Sequence, residues 1–217
     1  MIPTVAFDLD GTLVDSAPDL HAALDRLMAA RRLPGFARAE VTAMVGDGAR
    51  VLIERALAAR GQDYDPAALE QFLADYTAHA AVESRPFAGI AECLEGLAAA
   101  GWRLAVCTNK PVAAARELLG ALGLARHFAA IGGGDSFPVR KPDPGHLRAT
   151  LEAAGGDPAR AAMVGDHRND VLAAAGCGVP CVFAGWGYGT RAMAGDRPVA
   201  ARPAEVPGLL RRLLGLE

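Results

Sequence analysis

Short apolar runs alternate along this chain with segments in which leucine and alanine recur at helical spacing. The apolar runs predict buried parallel strands at residues 4–7, 103–107, 161–164 and 180–184, with a further strand around residues 129–132. Between and after them, helices are predicted at residues 91–100, 112–122, 145–154, 169–175 and 206–214. Because strands and helices alternate, we expect right-handed crossovers and an α/β fold with a doubly wound, mostly parallel, Rossmann-like sheet.

The interval from residue 16 to residue 85 interrupts this alternation, because its pattern predicts helices at 19–30, 38–44, 49–60 and 66–80 and no strand. Prolines and glycines separate these helices. We therefore predict an inserted, all-helical cap domain at residues 16–85 and a core domain formed by residues 1–15 and 86–217. In the alternative, the helices pack on one face of the sheet as an ordinary crossover, although crossovers are normally much shorter.

Composition and charge restrict the class of protein. The chain has 217 residues, of which 52% are hydrophobic and 22% charged, as in ordinary globular proteins. A net charge of −3 without a basic cluster argues against a nucleic-acid partner. We expect neither a signal peptide nor a membrane span. The four cysteines form no C-x-x-C pair, which favours free thiols in the cytoplasm.

Two acidic residues follow the first predicted strand directly. Asp8 and Asp10 stand at positions i and i+2, and Gly11 then allows the backbone to turn. Two carboxylates this close repel each other unless a cation such as Mg²⁺ lies between them. The alternative is an ordinary turn at Asp10-Gly11 that caps the strand.

Polar residues also follow the other predicted strands. In parallel α/β sheets ligands bind beyond the carboxyl ends of the strands, so these residues should converge on one edge. Together they supply acids, a hydroxyl, an amide and a cation. The segments are Asp8–Asp10, Thr108-Asn109-Lys110, Lys141 within Arg140-Lys141-Pro142-Asp143, and Asp166-His167-Arg168-Asn169-Asp170.

These four segments resemble the four motifs of the haloacid-dehalogenase-like phosphohydrolase superfamily over essentially the whole chain. A further segment within the predicted cap resembles the phosphoglycolate phosphatases. This segment is Val45-Gly46-Asp47-Gly48-Ala49-Arg50.

The superfamily resemblance implies a phosphate-transfer role for the acidic residues. Asp8 would be the nucleophile that forms an aspartyl-phosphate, and Asp10 would act as general acid and then as general base. Asp166 would bind Mg²⁺ together with Asp8 and the main-chain carbonyl of Asp10. Oxygen-only ligands of this kind suit Mg²⁺ better than zinc.

The same resemblance implies roles for the remaining motif residues. Thr108 and the backbone amides after it would bind the phosphate oxygens, and Asn109 would support this loop or the substrate. Lys141 would neutralise charge on the phosphoryl group and pair with Asp8. Asp170 would hold Lys141 or a metal-bound water. Thr108-Asn109 also fits a helix N-cap.

Residues of the cap could contact the non-phosphate end of the substrate. Arg50 at a helix start could reach a carboxylate, and Gly46 and Gly48 could offer backbone amides to it. Alternatively, Arg50 is a solvated helix cation. His167 replaces the small hydroxyl residue usual at this motif position, and a supporting hydrogen bond suits it better than metal ligation.

The sequence thus predicts a Mg²⁺-dependent phosphatase acting on a small phosphorylated metabolite, with 2-phosphoglycolate as the preferred candidate. The protein should work as a monomer or homodimer. A phosphatase or mutase acting on a sugar phosphate is the enzymatic alternative. A receiver-like module that stores an aspartyl-phosphate is the non-enzymatic one.

Overall fold

Strands and helices alternate through most of the computed structural model, which describes residues 2–216. The strands are β1 (Thr4–Phe7), β2 (Val14–Asp15), β3 (Arg85–Pro86), β4 (Arg103–Cys107), β5 (Ala130–Gly132), β6 (Ala161–Gly165), β7 (Cys181–Ala184) and β8 (Val199–Ala200). The α-helices are α1 (Ala17–Ala30), α2 (Arg38–Met44), α3 (Ala49–Ala58), α4 (Pro66–His79), α5 (Ile90–Ala99), α6 (Val112–Ala121), α7 (Pro144–Ala153), α8 (Arg168–Cys177) and α9 (Val206–Leu214).

Six of these strands form one sheet in the order β5-β4-β1-β6-β7-β8. Every pairing in this sheet is parallel, and Phe7 at the end of β1 lies opposite Val106 on β4 and Val164 on β6. The carboxyl ends of the strands therefore meet along one edge. The predicted fold class is confirmed, and the sheet gains β8, whose two residues are too few to produce a periodic pattern.

Both faces of the sheet are covered by helices. Along β1, Val5 and Phe7 pack on one face in a cluster with residues of α5, α6 and α9, whereas Ala6 packs on the other face with residues of α7 and α8. The strands are buried on both sides, which explains why they read as continuous apolar runs in the sequence.

Helices α1–α4 pack around an apolar cluster of their own, which includes Leu24, Ile53, Phe72 and Tyr76. Ala114 of α6 joins this cluster and connects it to the sheet domain. The helical segment leaves and rejoins the sheet at an antiparallel pair, in which Asp15 of β2 lies opposite Arg85 of β3. The predicted domain boundaries fall at this pair, and the division into two domains itself stays a prediction.

Local sequence signals explain several helix ends. The Asp143 side chain accepts a hydrogen bond from the amide of Gly145, and Pro144 occupies the first turn of α7. Gly178 ends α8 with a left-handed backbone conformation (φ 68°) that glycine adopts without steric cost. Within residues 2–216, the longest apolar helices fall short of what a membrane crossing requires.

Candidate active site

Three carboxylates and one ammonium group meet at the carboxyl edge of the sheet. Oxygen atoms of Asp8, Asp166 and Asp170 all lie within 4.8 Å of one another. The Lys141 Nζ atom lies 2.9 Å from Asp8 Oδ1 and 2.6 Å from Asp170 Oδ1. All four side chains are buried. The structure therefore brings these four predicted site residues together.

The charges in this cluster do not balance. Burial, and to a smaller extent the neighbouring Asp170 carboxylate, raise the pKa of Asp8 to about 6 despite the opposing effect of Lys141. Burial and the charge of Asp8 raise the pKa of Asp166 to about 7. Three carboxylates beside one ammonium leave two negative charges when all are ionised. This oxygen-rich, doubly negative cluster fits a divalent cation.

Asp166 is held in place by groups from two loops. Thr12 Oγ1 donates a hydrogen bond to Asp166 Oδ1 (2.8 Å), and the amides of Tyr188 and Gly189 donate to Oδ2 (2.8 and 3.2 Å). The loop after β7, which is Gly185-Trp186-Gly187-Tyr188-Gly189, therefore supports the Asp166 carboxylate. The sequence pattern does not predict that this loop supports Asp166. Its three glycines in five residues are nevertheless a signal that its backbone approaches another group closely.

The same loop also reaches the start of the helical segment. The Tyr188 hydroxyl accepts hydrogen bonds from the amides of Ser16 (2.8 Å) and Ala17 (2.9 Å) and donates one to Asp15 Oδ1 (2.7 Å). The Trp186 indole donates to the carbonyl of Thr12 (3.0 Å). One loop thus fixes both the Asp166 carboxylate and the point where α1 begins.

Asp10 forms a separate pair with Lys110. The Lys110 Nζ atom lies 3.0 Å from Asp10 Oδ1 and 3.2 Å from Oδ2, and Ser16 Oγ donates a hydrogen bond to the same carboxylate (2.5 Å). Lys110 also donates to the Tyr76 hydroxyl of α4 (2.7 Å). Burial lowers the pKa of Lys110, but Asp10 and Tyr76 outweigh it and raise the pKa above its usual value. Lys110 is therefore a buried ammonium group.

The motif pattern assigns no role to Lys110, yet the sequence carries a signal for it. Among 22 basic residues, only Lys110 and Lys141 are lysines, and the other twenty are arginines. Both lysines are buried at this edge of the sheet. A lysine ammonium is a compact point charge, whereas the guanidinium of arginine is a wide planar group.

Thr108 and Asn109 begin the loop that carries Lys110. Thr108 Oγ1 accepts a hydrogen bond from the Lys110 amide (3.2 Å). Asn109 Nδ2 donates to the carbonyls of Gly46 (3.0 Å) and Lys141 (2.9 Å). Asn109 therefore ties the loop after β4 both to the Lys141 loop and to the helical segment.

The loop between α2 and α3 lies directly over the site. Asn169 Nδ2 donates to the Gly46 carbonyl (3.2 Å) and to Asp47 Oδ1 (2.7 Å). Gly46 has a φ of 122°, and a Cβ atom there would lie 2.7 Å from the His167 ring. A Cβ on Gly48 would lie 3.0 Å from the Asn109 carbonyl oxygen. The predicted glycines therefore permit close contact between the two parts of the molecule.

Arg50 is not brought to the site with the other predicted residues. Its side chain is 59% exposed, and its Nε donates to Glu54 Oε1 (2.8 Å). Its guanidinium lies 5.0 Å from the centre of the Tyr64 ring. His167 Nδ1 accepts a hydrogen bond from the Asn169 amide (3.3 Å), so this histidine caps α8.

A cavity of about 50 Å³ lies between the two parts of the molecule. Asp8, Asp10, Asn109 and Lys110 line its sheet side. Apolar side chains dominate its opposite side. The residues there are Leu20, Val45, Gly46, Gly48, Ala49, Leu52, Phe72, Leu73 and Tyr76. A small ligand in this cavity would therefore lie against Asp8, with apolar walls excluding water.

Comparison with known proteins agrees with this architecture. The family model of the haloacid dehalogenase-like hydrolases matches residues 2–178. A phosphoglycolate phosphatase from Agrobacterium fabrum is 49% identical over 86% of this chain and 82% of its own. The crystal structure of a predicted phosphoglycolate phosphatase from Haemophilus somnus superposes with a TM-score of 0.88 at 30% identity, covering 96% and 97% of the two chains. The crystal structure of CbbY from Rhodobacter sphaeroides in complex with phosphate superposes with a TM-score of 0.78 at 28% identity, covering 95% of this chain and 96% of the CbbY chain.

The chain belongs to the haloacid dehalogenase-like hydrolase family. Within that family it is similar to the phosphoglycolate phosphatases, as the sequence resemblance implies. It is a phosphatase, that is, a phosphoric monoester hydrolase that acts on small phosphorylated substrates. The receiver-like alternative is thereby set aside.

We expect Gly187→Ala to disturb the Asp166 site. A Cβ atom there would lie 2.3 Å from the Gly11 carbonyl oxygen and 2.4 Å from Asp166 Cβ, so backbone or carboxylate must shift. The variant should lose about 1–3 kcal/mol of unfolding free energy in urea denaturation. Gly120→Ala in α6 is the matched control, because a Cβ added there would have no atom from outside its own helix backbone within 4 Å. Equal stability of the two variants would contradict this expectation.

Proposed function

We propose that this protein hydrolyses 2-phosphoglycolate to glycolate and phosphate, with Mg²⁺ as cofactor and through an aspartyl-phosphate on Asp8. The buried cluster of Asp8, Lys141, Asp166 and Asp170 beside a small cavity is the observation that carries the proposal. The names of its relatives at 41–49% identity indicate the substrate.

In the first half-reaction the Asp8 carboxylate attacks phosphorus and displaces the alkoxide of glycolate. Lys141, 2.9 Å from Asp8, offsets the charge on the transferring phosphoryl group. Thr108 and the amides after it bind phosphate oxygens at the start of α6. Asp10 protonates the leaving alkoxide.

In the second half-reaction Asp10 removes a proton from water, which then hydrolyses the aspartyl-phosphate. Ser16 and Lys110 hold the Asp10 carboxylate in position. Lys110 thereby joins the residues proposed for the site. Asp170 keeps Lys141 oriented through its contact at 2.6 Å.

The cofactor proposal depends on the excess negative charge of the carboxylate cluster. Asp8, Asp166 and the main-chain carbonyl of Asp10 would hold Mg²⁺, whose preference is for oxygen ligands. Bound there, the ion would supply positive charge against the phosphate oxygens. The amides that fix Asp166 would keep this ligand set together.

The size of the cavity favours a small substrate. A water molecule needs about 10–15 Å³ of such space. A cavity of about 50 Å³ therefore has room for roughly four groups of the size of water, which suits a two-carbon leaving group. The loop with Gly46 and Gly48 lines this cavity, and Arg50 would have to leave Glu54 to reach the substrate.

The cytoplasm is the proposed location. All four cysteines are free thiols, as expected in a reducing compartment. Burial raises the pKa of Cys93 and also of Cys107 to about 12, which keeps these two thiols protonated and poorly reactive.

A panel of phosphomonoesters tests the substrate. With Mg²⁺ present, we expect 2-phosphoglycolate to give the highest kcat/KM, with hexose and pentose phosphates lower by about 10²-fold or more, because the small cavity beside Asp8 suits a two-carbon leaving group. Chelation of the metal should abolish all turnover. A sugar phosphate that ranks first would overturn the substrate and leave the phosphatase activity in place.

Asp8→Asn tests the nucleophile. The amide is nearly isosteric but cannot attack phosphorus, so kcat should fall by roughly 10⁴-fold or more, as for other nucleophile substitutions. Acid-quenched wild-type enzyme should carry one phosphate on Asp8, detected by mass spectrometry of peptides. Turnover near the wild-type value in a folded Asp8→Asn protein would rule out this role.

The raised carboxylate pKa values predict how Mg²⁺ stabilisation depends on pH. The pKa values of about 6 for Asp8 and about 7 for Asp166 exceed the unfolded value of about 3.9. The stability that these groups contribute to metal-free protein is therefore complete below about pH 4 and lost as pH rises through 6–7.

Mg²⁺ should reverse this loss, because it binds the ionised carboxylates. At 100-fold its Kd it should add about 2.7 kcal/mol near pH 8, and much less at pH 5, where protons compete. Thermal unfolding with Mg²⁺ and with chelator at both pH values measures the difference. Asp166→Asn is the control and should show little Mg²⁺-induced shift in Tm. An equal Mg²⁺ shift at pH 5 and pH 8 would contradict the prediction.

A further inference from the structure

The chain uses lysine at only two positions, and only one of them belongs to the predicted phosphate chemistry. Lys141 contacts the nucleophile Asp8, whereas Lys110 contacts Asp10 and lines the cavity. A buried ammonium is costly to keep away from water. Its position in a substrate cavity therefore calls for a functional reason.

Lys110 bridges the sheet domain and the helical segment. Its Nζ atom lies 3.0 Å from Asp10 Oδ1 and 2.7 Å from the Tyr76 hydroxyl, and 4.3 Å from the centre of the Tyr76 ring. An ammonium group has three N–H donors. Asp10 and Tyr76 can occupy two of them, which leaves one for a ligand in the cavity that Lys110 lines.

Among the described residues that line this cavity, Lys110 is the single cationic side chain. The wall opposite the sheet consists mainly of apolar groups such as Leu52, Phe72 and Leu73. A carboxylate in this space would have to be paired, because burying it alone is very unfavourable. Arg50, the residue that the sequence suggests for this pairing, is 59% exposed and paired with Glu54.

We propose that Lys110 is the specificity-determining residue that binds the carboxylate at the non-phosphate end of the substrate. Tyr76 is its positioning residue, because it holds the ammonium from the side of α4 while Asp10 holds it from the sheet. This inference rests on the proposed function, since it assigns the recognition of an anionic leaving group to one side chain. The contribution of Lys110 to selectivity can be measured with any phosphomonoester that carries a carboxylate.

The experiment compares 2-phosphoglycolate with its carboxamide analogue, which has the same shape and no charge at that end. Wild-type enzyme should favour the carboxylate. Lys110→Met should lower kcat/KM for 2-phosphoglycolate by about 10- to 100-fold more than for the carboxamide, the range for a hydrogen bond to a charged group. Arg116→Met, an exposed cation on the helix that follows Lys110, should leave both values unchanged.

Lys110→Gln keeps a donor toward Asp10 and gives the same comparison if Lys110→Met does not fold. Tyr76→Phe should reduce the carboxylate preference in the same direction by a smaller factor. An equal loss for both substrates in the Lys110 variants would show that Lys110 acts only through Asp10 and would overturn the proposal. The proposal would also be overturned if Arg50→Met lost the preference for the carboxylate substrate while Lys110→Gln kept it.

These outcomes are distinct from a failure of the proposed substrate. If wild-type enzyme prefers a different carboxylate-bearing phosphomonoester, 2-phosphoglycolate fails, and the comparison is repeated with that substrate and its amide. If wild-type enzyme prefers neutral substrates throughout the panel, the role of Lys110 fails, whichever of them ranks first.

Discussion

The architecture of this enzyme depends on the attraction between one buried ammonium, Lys141, and the carboxylates of Asp8 and Asp170. Three ionised carboxylates in so small a volume would repel one another strongly, and one lysine offsets only part of that repulsion. The remainder adds to the effect of burial, which is the larger cause of the raised pKa values of Asp8 and Asp166. The site therefore keeps an electrostatic demand for a cation, which is the property that the proposed phosphate chemistry uses.

Maintaining this charge in place requires rigid support from several loops. The amides of Tyr188 and Gly189 and the Thr12 hydroxyl fix Asp166, while Asn109 links the Lys141 loop to the Gly46 carbonyl. Each of these groups follows a strand of the same parallel sheet or lies in the loop above it. A parallel sheet suits this purpose because all its carboxyl ends open on one edge.

The helical segment forms the side of the cavity opposite the sheet. Its glycine loop approaches the sheet closely, and Tyr76 on α4 reaches the Lys110 ammonium. The cavity thus has a charged floor and a mainly apolar roof. The Asn169 side chain donates a hydrogen bond to Asp47 and so connects the floor to the roof.

The sequence by itself determined the α/β class and the central strands and helices, because periodicity is a local property. It also predicted Asp8, Asp10, Lys141 and Asp166 as site residues from the resemblance of their segments to the family's motifs. It did not reveal β8 or the β2–β3 pair, since two-residue strands carry no period. Only the tertiary structure brought Lys110 to Asp10 and Tyr76, separated by 100 and 34 positions in the chain. Side-chain partners across distant segments depend on packing, which no local pattern records.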